Sequence, residues 1–144
     1  MLTSMKRIKI YLQQSNTDCG LTCLQMVASV YNQRLAIQEW ELRKTKHKVA
    51  LSLQEMENIA NLAGFETALT AISFSELQEN NLFPCIAFWQ EYHFIIIESI
   101  TKKFVKIIDP LTGWAKITYP EFVESWVTKK SGSDGKGIVM YMLL

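Results

Sequence analysis

The sequence predicts an α+β domain, with N-terminal helices packed on a C-terminal antiparallel β-sheet. Up to Gly64, apolar residues recur at the three- and four-residue spacing of helices that bury one face. After Gly64, five runs rich in β-branched and aromatic residues follow, several of them joined by hairpin-length turns. Helices first and strands later favour one antiparallel sheet that the helices cover.

The chain is predicted to form one domain over residues 1–144, with a helical half at about 1–64 and a sheet half at about 65–144. Its 144 residues are 49% hydrophobic and 11% aromatic, which is enough for a single packed core. No internal repeat or low-complexity segment interrupts it. We expect a functional site in the cleft between the two halves.

The first helix is predicted from Cys19 to Tyr31, where apolar side chains fall on one helical face. Asn16, Thr17 and Asp18 precede it as candidate N-caps. Cys19 is therefore expected in the first turn.

Two further helices are predicted in the first half. A short one covers residues 37–45. The other opens with the capping-box pattern of Ser52 and Glu55 and ends at Gly64.

The second half is predicted to be mainly strands, at residues 65–72, 85–89, 93–100, 104–109 and 137–144. Short helices at 73–80 and 120–127 interrupt them, and residues 131–137 form a loop before the last strand.

Composition argues against several classes of protein. Fifteen Lys and Arg against fourteen Asp and Glu give a net charge of +1, so no overall field attracts nucleic acid. The apolar runs at 94–97 and 138–144 are far shorter than the roughly 20 residues that cross a bilayer, and no signal peptide is visible. Three cysteines, an odd number, favour reduced thiols in the cytoplasm over a disulfide framework.

Cys19 is the candidate nucleophile because the positive end of a helix dipole stabilises a thiolate. A buried structural thiol is the alternative for Cys19, and it is the prediction for Cys23 and Cys85. No phosphate-binding or dinucleotide-binding glycine motif is present. A zinc site built from the cysteines and His93 has an unusual Cys-x-x-x-Cys spacing, so neither a metal nor a cofactor is predicted.

Two histidines and one glutamine complete the candidates. His47 lies among cationic neighbours and is predicted to be solvated. His93 begins an apolar strand, where it can face a cleft or serve as a structural histidine. Gln13, six residues before Cys19, carries an amide that could donate to an oxyanion, although most glutamines are solvated surface residues.

Asp109 is the candidate that would orient His93. If the hairpin loop is centred on Thr101, Asp109 lies directly opposite His93 on the same face. A loop centred between Thr101 and Lys102 instead pairs Asp109 with Phe94, and the side chains of His93 and Asp109 then point to opposite faces. The alternative role for Asp109 is to cap the turn that Pro110 begins.

Taken together, these residues resemble the double-glycine leader peptidases, cysteine peptidase family 39. The matching elements are Gln13, Asp18-Cys19-Gly20, Cys23-Leu24, Met26, Tyr31, His93-Phe94-Ile95-Ile96 and Asp109-Pro110-x-x-Gly113. The resemblance runs from Gln13 to the PEFVESW segment, that is, over nearly the whole chain.

The resemblance implies a papain-like fold and assigns each candidate a role. Cys19 is the nucleophile, His93 the general base and then acid, Asp109 the orienter of His93, and Gln13 the oxyanion donor. Members of this family are the N-terminal domains of bacteriocin-processing ABC transporters. They cleave a leader peptide after a Gly-Gly or Gly-Ala pair and hold its amphipathic helix in an apolar groove.

The resemblance also implies the partners and location. These are a leader peptide and the transmembrane and nucleotide-binding domains of a transporter, in the same chain if this is a fragment, at the cytoplasmic face of a bacterial inner membrane. The alternative is a non-catalytic module that tethers cargo to a transporter. Degenerate members of that kind lack the cysteine, whereas Cys19 is present.

Overall fold

The computed structural model describes residues 7–13, 17–31, 50–90, 92–127 and 135–144. The helix predicted at 37–45 and the candidate His47 lie outside these ranges. The elements in chain order are α1 (Cys19–Val30), α2 (Leu53–Leu62), β1 (Glu66–Ser73), α3 (Phe74–Asn80), β2 (Cys85–Trp89), β3 (His93–Ile100), β4 (Phe104–Asp109), β5 (Gly113–Thr118), α4 (Tyr119–Trp126) and β6 (Lys136–Leu143).

The strands form one six-stranded sheet in the order β1-β6-β2-β3-β4-β5, and every neighbouring pair is antiparallel. This confirms the predicted α+β class. The five predicted strands are present, and a sixth, β5, was missed. Its sequence GWAKIT lacks a β-branched run, and it lies at the edge of the sheet with half-exposed side chains, so neither composition nor alternation marked it.

Short polar signals at the helix starts explain why these segments are helical. Ser52 and Glu55 form the predicted reciprocal capping box at the start of α2. The same serine or threonine with a glutamate three residues later opens α3 and α4. After α2 the chain turns at Gly64, whose φ of +97° is one that L side chains rarely adopt.

The central strands of the sheet, β2 and β3, are buried on both faces. Helices α1 and α2 cover one face, where Phe94 and Ile96 belong to the core. Helices α3 and α4 cover the other, which contains Ile95 and Ile97. A strand covered on both sides has no polar alternation, which accounts for the continuous apolar run in β3. In the described part of the chain, no helix is long and apolar enough to cross a membrane.

Gly137 allows the close approach of Trp126, and the Gly137→Ala variant is expected to be destabilised. An added Cβ would lie 2.1 Å from the indole ring, which is itself fixed by a hydrogen bond from its Nε1 to the carbonyl of Ile138. Overpacking of this kind costs about 1–3 kcal/mol or more, because neither backbone nor ring can retreat cheaply. Urea denaturation measures the loss.

The control is Gly20→Ala, where the added Cβ meets only the end of the flexible Met56 side chain, at 3.0 Å. We expect a smaller loss there. Equal stability of Gly137→Ala and the wild type would show that the Trp126 contact does not constrain this strand.

Candidate active site

Cys19 lies at the N-terminus of α1, directly after Asp18, as the sequence predicted. The residue is only 3% exposed. The first backbone N–H groups of a helix have no partners within the helix, and together with the helix dipole they stabilise negative charge. The Cys19 sulfur lies in this first turn, beside those N–H groups.

His93, the first residue of β3, lies against Asp109, the last residue of β4. The His93 Nε2 and the Asp109 Oδ1 are 2.8 Å apart. The backbone N–H of Leu111 donates to the same carboxylate oxygen, also at 2.8 Å. Asp109 thus holds the imidazole and caps the following turn at once, so the two roles that the sequence left open are compatible.

The hairpin register that brings these residues together is neither of the two considered from the sequence. Ile96 pairs with Ile108, and continuing that pairing by one residue sets Asp109 opposite Ile95. His93 is then its diagonal neighbour, two residues along the same face. The alignment centred on Thr101 was therefore wrong by two residues, but an even shift keeps both side chains on one face.

A β-bulge in β3 determines that His93 and Asp109 lie on the same face of the sheet. Nearer the turn Ser99 pairs with Lys106, and the register shifts by one residue between Ile97 and Ser99. Without that extra residue, Asp109 would lie opposite Ile96 and its side chain would point to the other face. The bulge therefore decides whether His93 and Asp109 can meet.

The surroundings of His93 favour its charged form. Burial lowers its pKa, but the hydrogen bonds to Asp109 and Cys19 and their negative charges outweigh burial and raise the pKa to about 9. Because Nε2 bonds to Asp109, Nδ1 is the ring nitrogen left for Cys19. At neutral pH the imidazole is therefore a cation.

Asp109 is affected in the complementary way. Burial raises the pKa of its carboxyl group, but the hydrogen bonds from His93 and Leu111 and the charge of His93 outweigh that, so the pKa is lowered overall. Asp109 is therefore ionised at neutral pH and acts as an acceptor.

Replacing Asp109 by asparagine is expected to lower the pKa of His93 by about one to three units, because the carboxylate stabilises the imidazolium and the amide does not. The imidazolium would then lose its proton at a lower pH. NMR titration of the ring protons measures this, with the signal assigned by comparison with a His47→Gln variant.

Glu98→Gln serves as the control. It also removes one negative charge, but from a β3 residue that makes no hydrogen bond to the His93 ring. We expect the His93 titration to stay unchanged in that variant. An unchanged titration in Asp109→Asn would mean that Asp109 does not hold the imidazolium in solution.

Gln13 is attached to the same turn through its backbone. Its N–H donates to the carbonyl oxygen of Pro110 at 2.6 Å, and its side-chain Oε1 is shielded from solvent. Gln13 therefore lies beside the turn that follows Asp109. Sequence reasoning missed the Pro110 carbonyl and the Leu111 N–H, because backbone groups have no side-chain signature beyond the Asp-Pro turn itself.

The other two cysteines are buried, as predicted. Cys23 is 0% exposed, and its thiol donates to the carbonyl of Phe94 at 3.5 Å. Burial first, and then the charges of Cys19 and Asp109, raise the pKa of Cys23 well above its usual value. Burial also raises the pKa of Cys85. Both therefore stay protonated and are poor nucleophiles.

The zinc alternative gains no support. Among the residues that the structure describes, no three His, Cys, Asp or Glu side chains are arranged to hold a metal ion.

Comparison with known proteins identifies similar sequences. Residues 7–130 match the model of the Peptidase C39 family. The lacticin-481/lactococcin-DR transport/processing ATP-binding protein of Lactococcus lactis subsp. lactis is 27% identical over 124 residues, which are 83% of this chain and 18% of that relative. The colicin V secretion/processing ATP-binding protein of Escherichia coli is 23% identical over 116 residues, which are 81% of this chain and 16% of that relative. The chain thus spans less than a fifth of these relatives.

Solved structures share the fold. A double glycine motif protease from an AMS/PCAT transporter, solved in complex with the leader peptide, superposes with a TM-score of 0.81 at 22% identity, covering 96% of this chain and 93% of its own. The peptidase domain of Streptococcus ComA, a bifunctional ABC transporter, gives 0.76 at 18% identity, covering 95% of this chain and 98% of its own. These likenesses confirm the predicted papain-like fold.

Proposed function

The chain belongs to the peptidase C39 family, a family of cysteine peptidases, and on that basis we propose that it removes the leader of a secreted peptide after a Gly-Gly type site. The observation that carries the proposal is the contact of 2.8 Å between His93 Nε2 and Asp109 Oδ1, in a ring that lies near enough to Cys19 for that residue to raise its pKa. A sulfur, an imidazole and a carboxylate in series form the usual unit of an activated nucleophile.

The proposed reaction passes through a thioester. The Cys19 sulfur attacks the carbonyl carbon of the second small residue, and the His93 imidazolium gives its Nδ1 proton to the leaving amine as the C–N bond breaks. Water then attacks the thioester while His93 takes a proton from it, which releases the leader and restores the pair. Asp109 keeps the imidazole in the orientation that both steps need.

The oxyanion is proposed to bind the side-chain amide of Gln13 and the backbone N–H of Cys19. Two features support this placement: the backbone bond that holds Gln13 beside the Asp109 turn, and the position of Cys19 at a helix N-terminus. Donors fixed before the reaction stabilise charge that develops only in the transition state.

The proposed partners are the leader of a secreted precursor and the transmembrane and nucleotide-binding domains of an ABC transporter, in the same chain if this is part of a longer protein. The relatives are named as transport, secretion and processing ATP-binding proteins, and one similar structure contains a leader peptide. Residues 1–144 would form the single peptidase domain, at the cytoplasmic face of a bacterial membrane.

The cleavage preference can be tested without knowing the cargo. We expect digestion of a library of peptides to show, by mass spectrometry, cuts that follow Gly-Gly or Gly-Ala and that are lost when either small residue is replaced by leucine. Cuts at an unrelated sequence would contradict the proposed substrate class while leaving peptidase activity intact.

The Gln13→Ala variant is expected to lower turnover by a factor of about 10²–10³, with a smaller change in KM, because the amide acts on charge that appears only in the transition state. Steady-state cleavage of one peptide measures both constants. Gln54→Ala is the control, since Gln54 is an exposed α2 residue that bonds to Asn58. A loss in Gln13→Ala no larger than in the control would show that Gln13 does not stabilise the oxyanion.

A further inference from the structure

Positive charge is concentrated on one hairpin of the described structure. The described ranges contain seven lysines and arginines, and four of them lie between residues 102 and 116, namely Lys102, Lys103, Lys106 and Lys116. The single acidic residue in that stretch is Asp109, which is engaged with His93. We call these four lysines together with Trp114 the basic hairpin face.

The strand register places the central members side by side. Lys106 pairs directly with Lys116, and Ile108 pairs with Trp114, so Trp114 and both lysines are on one face of β4 and β5. Like charges directly opposite each other across two strands destabilise a sheet. The Lys106 amine lies 5.8 Å from the Trp114 ring centroid and the Lys116 amine lies 5.0 Å from the Phe104 ring centroid, so each cation also contacts an aromatic ring.

This face is open to solvent. β5 is one of the two edge strands of the sheet, Trp114 is 50% exposed, and Leu111 in the adjoining turn is 58% exposed. Within the described ranges, none of the four lysines takes part in an ion pair. The surface is an extended strip about 20 Å long, with lysines at one end and large apolar side chains at the other.

We propose that the basic hairpin face docks the domain onto the surface of an anionic phospholipid bilayer. Clustered lysines are point charges that suit a layer of mobile anionic headgroups, each contributing about a fivefold gain in binding near such a surface. A half-exposed tryptophan beside them suits the interfacial region, where indole rings partition. The positive charge of these lysines is complementary to anionic lipid.

The test is partition of the 144-residue chain onto vesicles, followed by co-sedimentation. We expect binding to vesicles of 70% phosphatidylcholine and 30% phosphatidylglycerol, weak binding to pure phosphatidylcholine, and loss of binding in 1 M NaCl, where charge is screened within about 3 Å. The double variant Lys106→Gln/Lys116→Gln should bind roughly 25-fold more weakly, at about fivefold for each lysine.

The matched control is Arg7→Gln/Lys9→Gln, which removes the same net charge from exposed residues elsewhere in the chain. Its partition should change less than twofold, and both double variants should keep the wild-type unfolding midpoint. Absence of binding to the anionic vesicles, or equal losses in the two double variants, would overturn the proposal and direct attention to an acidic protein surface. Either result leaves the proposed cleavage reaction unaffected, since no residue altered here belongs to it.

Discussion

Replacing Cys19 by alanine is expected to abolish peptide cleavage and to leave the domain folded. The proposed reaction forms its covalent bond at the Cys19 sulfur, and no other described thiol is both at a helix N-terminus and among the groups that raise the pKa of His93. Loss of a nucleophile in such a unit lowers turnover by a factor on the order of 10⁴–10⁶. Mass spectrometry measures turnover as the rate at which the mature fragment is released from a leader-containing peptide.

The matched control is Cys23→Ala, one helical turn further along α1. Cys23 is fully buried and donates to a backbone carbonyl, so its removal should cost about 1–2 kcal/mol of stability and leave turnover near the wild-type value. Cleavage by folded Cys19→Ala would end the peptidase mechanism proposed for this site. Leader binding without cleavage in the wild type would instead favour the tethering alternative.

Replacing His93 is expected to be nearly as damaging. The imidazole must give a proton to the leaving amine and later take one from water. His93→Ala and His93→Gln should each lower turnover by a factor on the order of 10⁴ or more. The glutamine variant is informative because its amide can still donate a hydrogen bond to Asp109. A loss of turnover in that variant therefore cannot be attributed to an unpaired carboxylate.

The control is His47→Gln, which removes the other histidine of the chain and so tests whether the loss of turnover is specific to His93. The sequence predicts that His47 is solvated among cations, and we expect wild-type turnover in that variant, measured on the same peptide. Turnover in His93→Gln within tenfold of the wild type would remove His93 from the mechanism.

Much of the fold was predictable because local signals agree with the tertiary structure. The capping box of Ser52 and Glu55 and the stop at Gly64 fixed α2, and continuous β-rich runs marked five strands. β5 was not predictable from composition, since it is held by pairing with β4 and not by its own propensity. An edge strand with half-exposed residues has little hydrophobic pattern of its own.

The relative placement of His93 and Asp109 shows where sequence reasoning stops. Their separation along the chain allowed them to meet, but the outcome depended on a one-residue bulge between Ile97 and Ser99. Such a bulge is fixed by packing on both faces of the sheet and has no sequence signal within the strand. The carbonyl of Pro110 accepts a hydrogen bond from Gln13, and the N–H of Leu111 donates one to Asp109. These backbone contacts likewise have no side-chain signal in the sequence.

The measurement that tests the central claim most directly is alkylation of the thiols by iodoacetamide at pH 6, located by peptide mass spectrometry, in the wild type and in His93→Ala. Because the thiolate is the reactive form, a Cys19–His93 ion pair predicts that Cys19 is labelled at least tenfold faster than Cys23 and Cys85, and that His93→Ala loses this excess. Labelling of Cys19 no faster than the buried thiols, or an excess that survives in His93→Ala, would contradict the account.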